Sequence, residues 1–218
     1  KVASQNASEA QSMLQVADGA YGQVNNILVR MKNLATQAAS GQTESLSTMN
    51  SEFVALQNEI DRIAGSTTYG NKKLTDGSTI PTVGVTFQVG PTNAPDNQIN
   101  LKFSGAMTGC LGVSSSSSGI CINSASDAQK AMSAIDLALS SVNAYMGEIG
   151  TYQNRLQYTI DNLSVGIENF QSSESTIRDV DMAEEMTTFT KNQILQQSGI
   201  SMLSQANQSS QQILSLLK

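Results

Sequence analysis

Histidine and tryptophan are absent from this chain of 218 residues, and cysteine (two) and proline (three) are scarce. Each shortage closes a class of function. Without histidine there is no His-dependent catalytic triad and no His-ligated metal site. Cys110 and Cys121 cannot by themselves complete a four-ligand zinc site. Charged residues make up only 14% of the chain, with 12 basic against 18 acidic and a net charge of -6. Phosphate binding needs clustered Lys and Arg, so neither nucleic acid nor an anionic membrane surface is an expected partner. No apolar run approaches the length that spans a bilayer. No nucleophile stands beside a base, so the chain does not read as an enzyme and no cofactor or metal is expected. The sequence opens on Lys1 rather than Met and reads as starting inside a longer gene product, so the lack of a visible leader carries no weight.

What is present is a rhythm. Ala10, Met13, Ala17, Ala20, Val24, Ile27, Met31, Leu34 and Ala38 recur at alternating three- and four-residue steps. So do Leu46, Met49, Phe53, Leu56, Ile60 and Ile63. The longest series runs Ala131, Ile135, Ala138, Val142, Tyr145, Ile149, Tyr152, Leu156, Thr159, Leu163, Gly166 and Phe170. A mean step of about 3.5 residues draws a nearly straight stripe along a helix and favours left-handed helix packing. Leu14, Tyr21, Leu28 and Ala35 form a second face on the first helix. They either pack between subunits or thicken one core.

The three prolines, Pro81, Pro91 and Pro95, fall close together, which leaves both flanks free to be helical. The first helix is expected over Ser8–Ala39, stopped by Gly41. Thr43 and Glu44 open a second, which ends near Gly65. A turn-rich patch follows at Tyr69-Gly70-Asn71-Lys72-Lys73. The period then shifts to two: Val83, Val85, Phe87 and Val89, then Ile99, Leu101 and Phe103, with a loop from Gly90 to Asn97. That predicts a β-hairpin over about 80–104. Ser114 to Ser118 reads as a flexible connector. Ser126-Asp127 supplies an N-cap for a long helix over about 127–175. At ~1.5 Å per residue, roughly fifty residues span ~75 Å. The fold class is therefore mainly α: an elongated helical rod or coiled-coil bundle with a small β-hairpin region. Rods bind or build.

The tail differs in kind. Asn192 to Leu217 carries no charge over 26 residues and holds seven glutamines. Its apolar set includes Ile194, Leu195, Ile200, Met202, Leu203, Ala206, Ile213, Leu214, Leu216 and Leu217. A free amphipathic helix normally carries charge on its outer face. This one reads as made for burial in an assembly; the alternative is a disordered, Gln-rich terminus.

Several long segments resemble bacterial flagellin. They are Leu28-Val29-Arg30-Met31-Lys32-Asn33-Leu34-Ala35-Thr36-Gln37, Asn58-Glu59-Ile60-Asp61-Arg62-Ile63-Ala64, Phe87-Gln88-Val89-Gly90, Gln153-Asn154-Arg155-Leu156, Ser175-Thr176-Ile177-Arg178-Asp179-Val180-Asp181-Met182-Ala183, Gln205-Ala206-Asn207-Gln208 and Ile213-Leu214-Ser215-Leu216-Leu217-Lys218. The resemblance implies a rod domain over 1–179 and, over 180–218, the C-terminal half of an inner coiled-coil domain. The N-terminal helix that would complete that inner domain is absent from the sequence. The short middle implies a minimal form without large outer domains. The implied function is a structural subunit that polymerises into the extracellular flagellar filament for motility, after secretion. The implied partners are further copies of itself, a flagellar export chaperone, hook-associated and cap proteins, and Toll-like receptor 5. The alternatives are a hook-associated junction protein, or an export form of the subunit held by its chaperone.

By the same resemblance, Arg30 and Leu34, with Glu52 on the neighbouring helix, are receptor contacts: an arginine fork, an apolar anchor and a carboxylate. The chain has Asn33 and Thr36 where receptor-stimulating flagellins typically carry Glu and Val. The other reading of Leu34 is core, since it falls on the inner stripe. The assembly or chaperone-binding tail is Ile194, Leu195, Met202, Leu203, Ala206, Ile213, Leu216 and Leu217. Cys110 and Cys121 bracket the serine run and are either a disulfide, which stabilises by roughly 3 kcal/mol in the chain-entropy account, or two thiols. Asp179, Asp181, Glu184 and Glu185 read as solvated carboxylates at a helix end rather than a calcium site.

Overall fold

A computed structural model of the chain describes residues 1–40, 45–77, 84–179 and 181–216. In order, these form α1 (Val2–Ala39), α2 (Leu46–Ser66), β1 (Thr68–Tyr69), β2 (Lys72–Lys73), β3 (Val85–Gln88), a 3-10 turn (Pro95–Asn97), β4 (Gln98–Leu101), α3 (Thr108–Leu111), α4 (Ser115–Ser118), α5 (Ala125–Arg178) and α6 (Met182–Leu216). The chain is mainly helical, with two small antiparallel two-stranded sheets. It forms two compact units, Lys1–Ile167 and Glu168–Lys218. The division falls inside α5, before the 179/180 boundary expected from the sequence.

In the first unit, both stripes of α1 are buried. Ala10, Met13, Ala17, Val24, Met31, Leu34 and Ala38 lie in the core, and so do Leu14, Tyr21, Leu28 and Ala35. The second face therefore widens one core. Helix α1 begins at Val2, earlier than the expected Ser8, because nothing in the first residues breaks a helix and Ala7 is itself buried. The expected stop at Gly41, and the expected opening at Thr43 and Glu44, lie outside the described residues. Helix α2 packs Met49, Phe53, Ile60 and Ala64 against α1.

Helix α5 runs antiparallel to α1. Lys32 pairs with Asp136 at 2.6 Å, Thr36 donates to the Met132 sulfur at 3.3 Å, and the rings of Tyr21 and Tyr145 lie 5.9 Å apart. Ala131, Ile135, Ala138, Val142, Ile149 and Leu156 are buried. The expected seam gives out past Leu163, and Phe170 is 79% exposed. The cap of α5 is Ser124, not Ser126-Asp127. Ser124 Oγ accepts the Asp127 N–H at 3.2 Å and donates to the Asp127 carboxylate at 2.8 Å, so Asp127 is the reciprocal partner in the first turn.

The hairpin pairs β3 with β4, with Phe87 opposite Ile99. It is shorter than the span 80–104. Val83 lies outside the described residues, and Val89 bonds to Asn97 at 2.8 Å inside the turn rather than in the ladder. A Cβ on Gly90 would stand 2.1 Å from the Asn97 side-chain oxygen, so only glycine fits that close approach. Tyr69 and Lys72 form a second small hairpin where only a turn was expected.

The serine run is not a free linker. Ser115–Ser118 forms the helical turn α4, and α2 holds the segments around it. Asn50 Oδ1 accepts the Ile122 N–H at 3.0 Å. Gln57 donates to the carbonyls of Val113 and Ile120 at 2.7 and 3.1 Å. Asp61 accepts the Thr108 N–H and hydroxyl at 2.8 and 2.9 Å, capping α3 from outside.

Candidate functional site

Among the described residues no group of His, Cys, Asp or Glu is arranged to hold a metal ion. No described helix is long and apolar enough to cross a membrane. The functional candidates are helix faces, built residue by residue along α1, α5 and α6.

Arg30 on α1 and Glu52 on α2 meet at the surface. Arg30 Nε and Nη2 both donate to Glu52 Oε1, at 2.9 and 2.6 Å. Both side chains are about half exposed, so the pair is worth little in isolation. It does fix an arginine and a carboxylate in one patch. Leu34 is a correction: it is 3% exposed and belongs to the core. One turn beyond Arg30 on the same helix, it points into the α1 stripe. It cannot serve as a surface anchor while the helices stay packed.

Cys110 is exposed, Cys121 is half-buried, and both are free thiols. No disulfide closes the serine segment in this structure.

Within the second unit, α6 opens on a capped N-terminus. Asp181 accepts the N–H groups of Ala183 and Glu184 at 2.9 and 3.4 Å. Glu184 and Glu185 follow in the first turn, where the positive end of the helix favours carboxylates. Asp179 instead takes the Ser175 hydroxyl at 2.6 Å. Asp179 and Asp181 thus have specific hydrogen-bonding roles, while Glu184 and Glu185 both sit in the first turn of α6.

Along α6, every residue whose side chain is described is exposed. Ile194, Leu195, Met202 and Leu203 are each more than half exposed, and Ala206 is exposed as well. The side chains of Ile213 and Leu216 lie outside the described set, and Leu217 lies outside the described residues. The exposed apolar surface extends upstream of the uncharged tail. Met182, Met186 and Phe189 are also exposed apolar residues. Their three- and four-residue spacing was the available signal, hidden by the charges at Glu184, Glu185 and Lys191.

A cleft of about 470 Å3 lies in the first unit between the hairpin loop and α5. Val89 and Ile99 form its apolar floor, and Arg155, Tyr158 and Asn162 line its α5 side. Tyr158 is 74% exposed. No pattern in the sequence announces it, because it exists only once the hairpin folds against the long helix.

Two family descriptions match the chain: the bacterial flagellin N-terminal helical region over residues 1–79, and the bacterial flagellin C-terminal helical region over residues 132–217. The chain is 38% identical over 228 residues to the flagellar filament 33 kDa core protein of Treponema phagedenis, covering 99% of this chain and 79% of that protein. It is 35% identical over 247 residues to a flagellin of Bacillus subtilis, covering 100% of this chain and 81% of that one. Among solved structures, Bacillus cereus flagellin superimposes with a TM-score of 0.62 at 29% identity, over 73% of this chain and 88% of that one.

Proposed function

Because this chain belongs to the bacterial flagellin family, we infer its mode of action from the surfaces its fold leaves uncovered. It is a structural subunit of the flagellar filament, the organelle of bacterial motility, and its family works by self-polymerisation. The inferred mechanism is burial of open helix faces between neighbouring copies, with small shifts between nearly equivalent packings. One observation carries this: α6 presents Met186, Phe189, Ile194, Leu195, Met202 and Leu203 to solvent along its length. Fully burying one such side chain is worth about 1.5–3 kcal/mol, so contact between copies has a large reserve of apolar surface to draw on. Electron microscopy of the purified chain tests the reading. Long tubes are expected. Discrete particles would instead favour a hook-associated junction protein.

The same helix suits a flagellar export chaperone before assembly. An apolar helix without charge over its last turns needs cover during secretion, and its exposed Met and Leu side chains supply an adaptable docking face. Hook-associated and cap proteins would meet the same faces at the filament ends. Co-purification of the full chain with a chaperone, lost when Leu195 and Met202 become Ser, is the expected result.

Recognition by Toll-like receptor 5 is a second proposed role, favoured by the exposed Arg30–Glu52 pair. Leu34 contributes by packing α1, not by touching the receptor. A reporter assay in which Arg30→Ala with Glu52→Ala stimulates as well as the parent would sink this role.

A further inference from the structure

Three of the four arginines are spoken for within the chain. Arg30, Arg62 and Arg178 pair with Glu52, Glu59 and Glu174 at 2.6, 2.6 and 3.1 Å. Arg155 is the exception. It is exposed, and its guanidinium makes no ion pair among the described residues. It stands at the cleft described above, beside Tyr158 and over the apolar floor of Val89 and Ile99. Asp96 lines the same cleft without pairing with it. A cationic fork above an apolar recess fits a carboxylate followed by an aliphatic side chain.

Helix α1 carries that pattern on its open face. Val2, Glu9 and Val16 are all exposed and recur every seven residues, so they share one line along the helix. Glu9 makes no ion pair or side-chain hydrogen bond among the described residues.

We propose that Arg155 binds Glu9 of a second copy and that Val2 of that copy seats in the α5 cleft. This rests on the filament reading and specifies one of its contacts. An open filament needs a heterologous contact, in which one face meets a different face of the next copy. The α1 ridge and the α5 cleft are two such faces of one unit. Copies that repeat head-to-tail point the same way, so α1 of one meets α5 of the next antiparallel, as the two helices do within a chain. Setting Glu9 at Arg155 then brings Val2, seven residues back, level with Asn162, seven residues on. Asn162 lines the cleft. Charge and shape therefore match in a single register.

Charge reversal tests the contact. Glu9→Arg and Arg155→Glu are each expected to raise the critical concentration for polymerisation at least about tenfold, because like charges meet at every repeat. The double variant is expected to return to within about threefold of the parent. Circular dichroism follows the fold throughout. If either reversal costs helix content, Glu9→Gln and Arg155→Gln take its place, with a several-fold rise expected at low salt that shrinks at high salt. Single variants that polymerise like the parent overturn the contact, and so does a double variant no better than the singles. An unsubstituted chain that forms no filament overturns the filament reading itself, and this contact with it.

Discussion

Gln57 donates its side-chain amide to the carbonyl of Val113 at 2.7 Å from a position almost without solvent access. The same nitrogen reaches Ile120 at 3.1 Å. One glutamine on α2 therefore ties down both sides of the serine segment. Gln57→Leu keeps the volume and strands two carbonyls without partners. A loss of about 2 kcal/mol is expected, read as a shift of the urea midpoint without a change of slope.

Tyr21 joins three elements. Its hydroxyl donates to the Ser104 carbonyl at 2.5 Å, and its ring leans on Tyr145. Burial pushes its phenol far above the ordinary tyrosine range, and the neighbouring Tyr145 and Glu148 push the same way. The sign follows from linkage. The unfolded phenol ionises near pH 10 while the folded one stays neutral, so its contribution is complete below about pH 10 and is lost as pH rises further. Tyr21→Phe is expected to cost about 1 kcal/mol at neutral pH and to flatten the alkaline fall. Thermal melts between pH 8 and 11 check both.

The helical part of this fold was legible because a 3.5-residue rhythm has one economical reading, and the buried residues of α1, α2 and the first part of α5 follow it. The hairpin was legible for the parallel reason, a period of two around a turn. What could not be read was anything made by polar side chains acting at a distance in sequence. Asn50, Gln57 and Asp61 look like ordinary surface positions of an amphipathic helix until the connector folds onto them. Leu34 carried two readings, a surface anchor by resemblance and core by its place on the apolar stripe, and its burial fits the second. The open faces were half legible. The uncharged tail stood out, but the Arg155 cleft required tertiary structure.

Ser124 caps α5, and Asp127 answers it. The Ser124 hydroxyl, and then Lys130, hold the Asp127 carboxyl below its usual range. Stability from this group is present above the ordinary carboxylate pKa and fades as pH falls through the lowered folded value. Ser124→Ala is expected to cost about 1 kcal/mol and to weaken that acid dependence. Chemical denaturation at pH 7 and at pH 3 measures the two effects.

Leu34 and Arg30 separate folding from recognition. Leu34→Ala removes a buried side chain and is expected to cost about 2–5 kcal/mol. Arg30→Ala breaks an exposed pair and should cost less than about 1 kcal/mol. If receptor signalling falls in Leu34→Ala, it should fall in proportion to the unfolded fraction at assay temperature. A drop in Arg30→Ala, with the melt unchanged, is the signature of contact. Equal melts for the two variants would contradict the buried position of Leu34.

Helix α6 offers the sharpest division between stability and assembly. Phe189 and Leu195 are each more than half exposed, so exchanging them for Ser removes little burial from the isolated chain. Exposed substitutions of this kind usually stay within about 0.5 kcal/mol. On the proposed filament packing the same side chains lie against neighbours, and each loss recurs at every subunit. Phe189→Ser with Leu195→Ser is therefore expected to melt like the parent and fail to sediment as filament. A double variant that polymerises normally would mean that α6 does not supply the apolar contact between copies. A double variant that melts early would mean that α6 packs within its own chain.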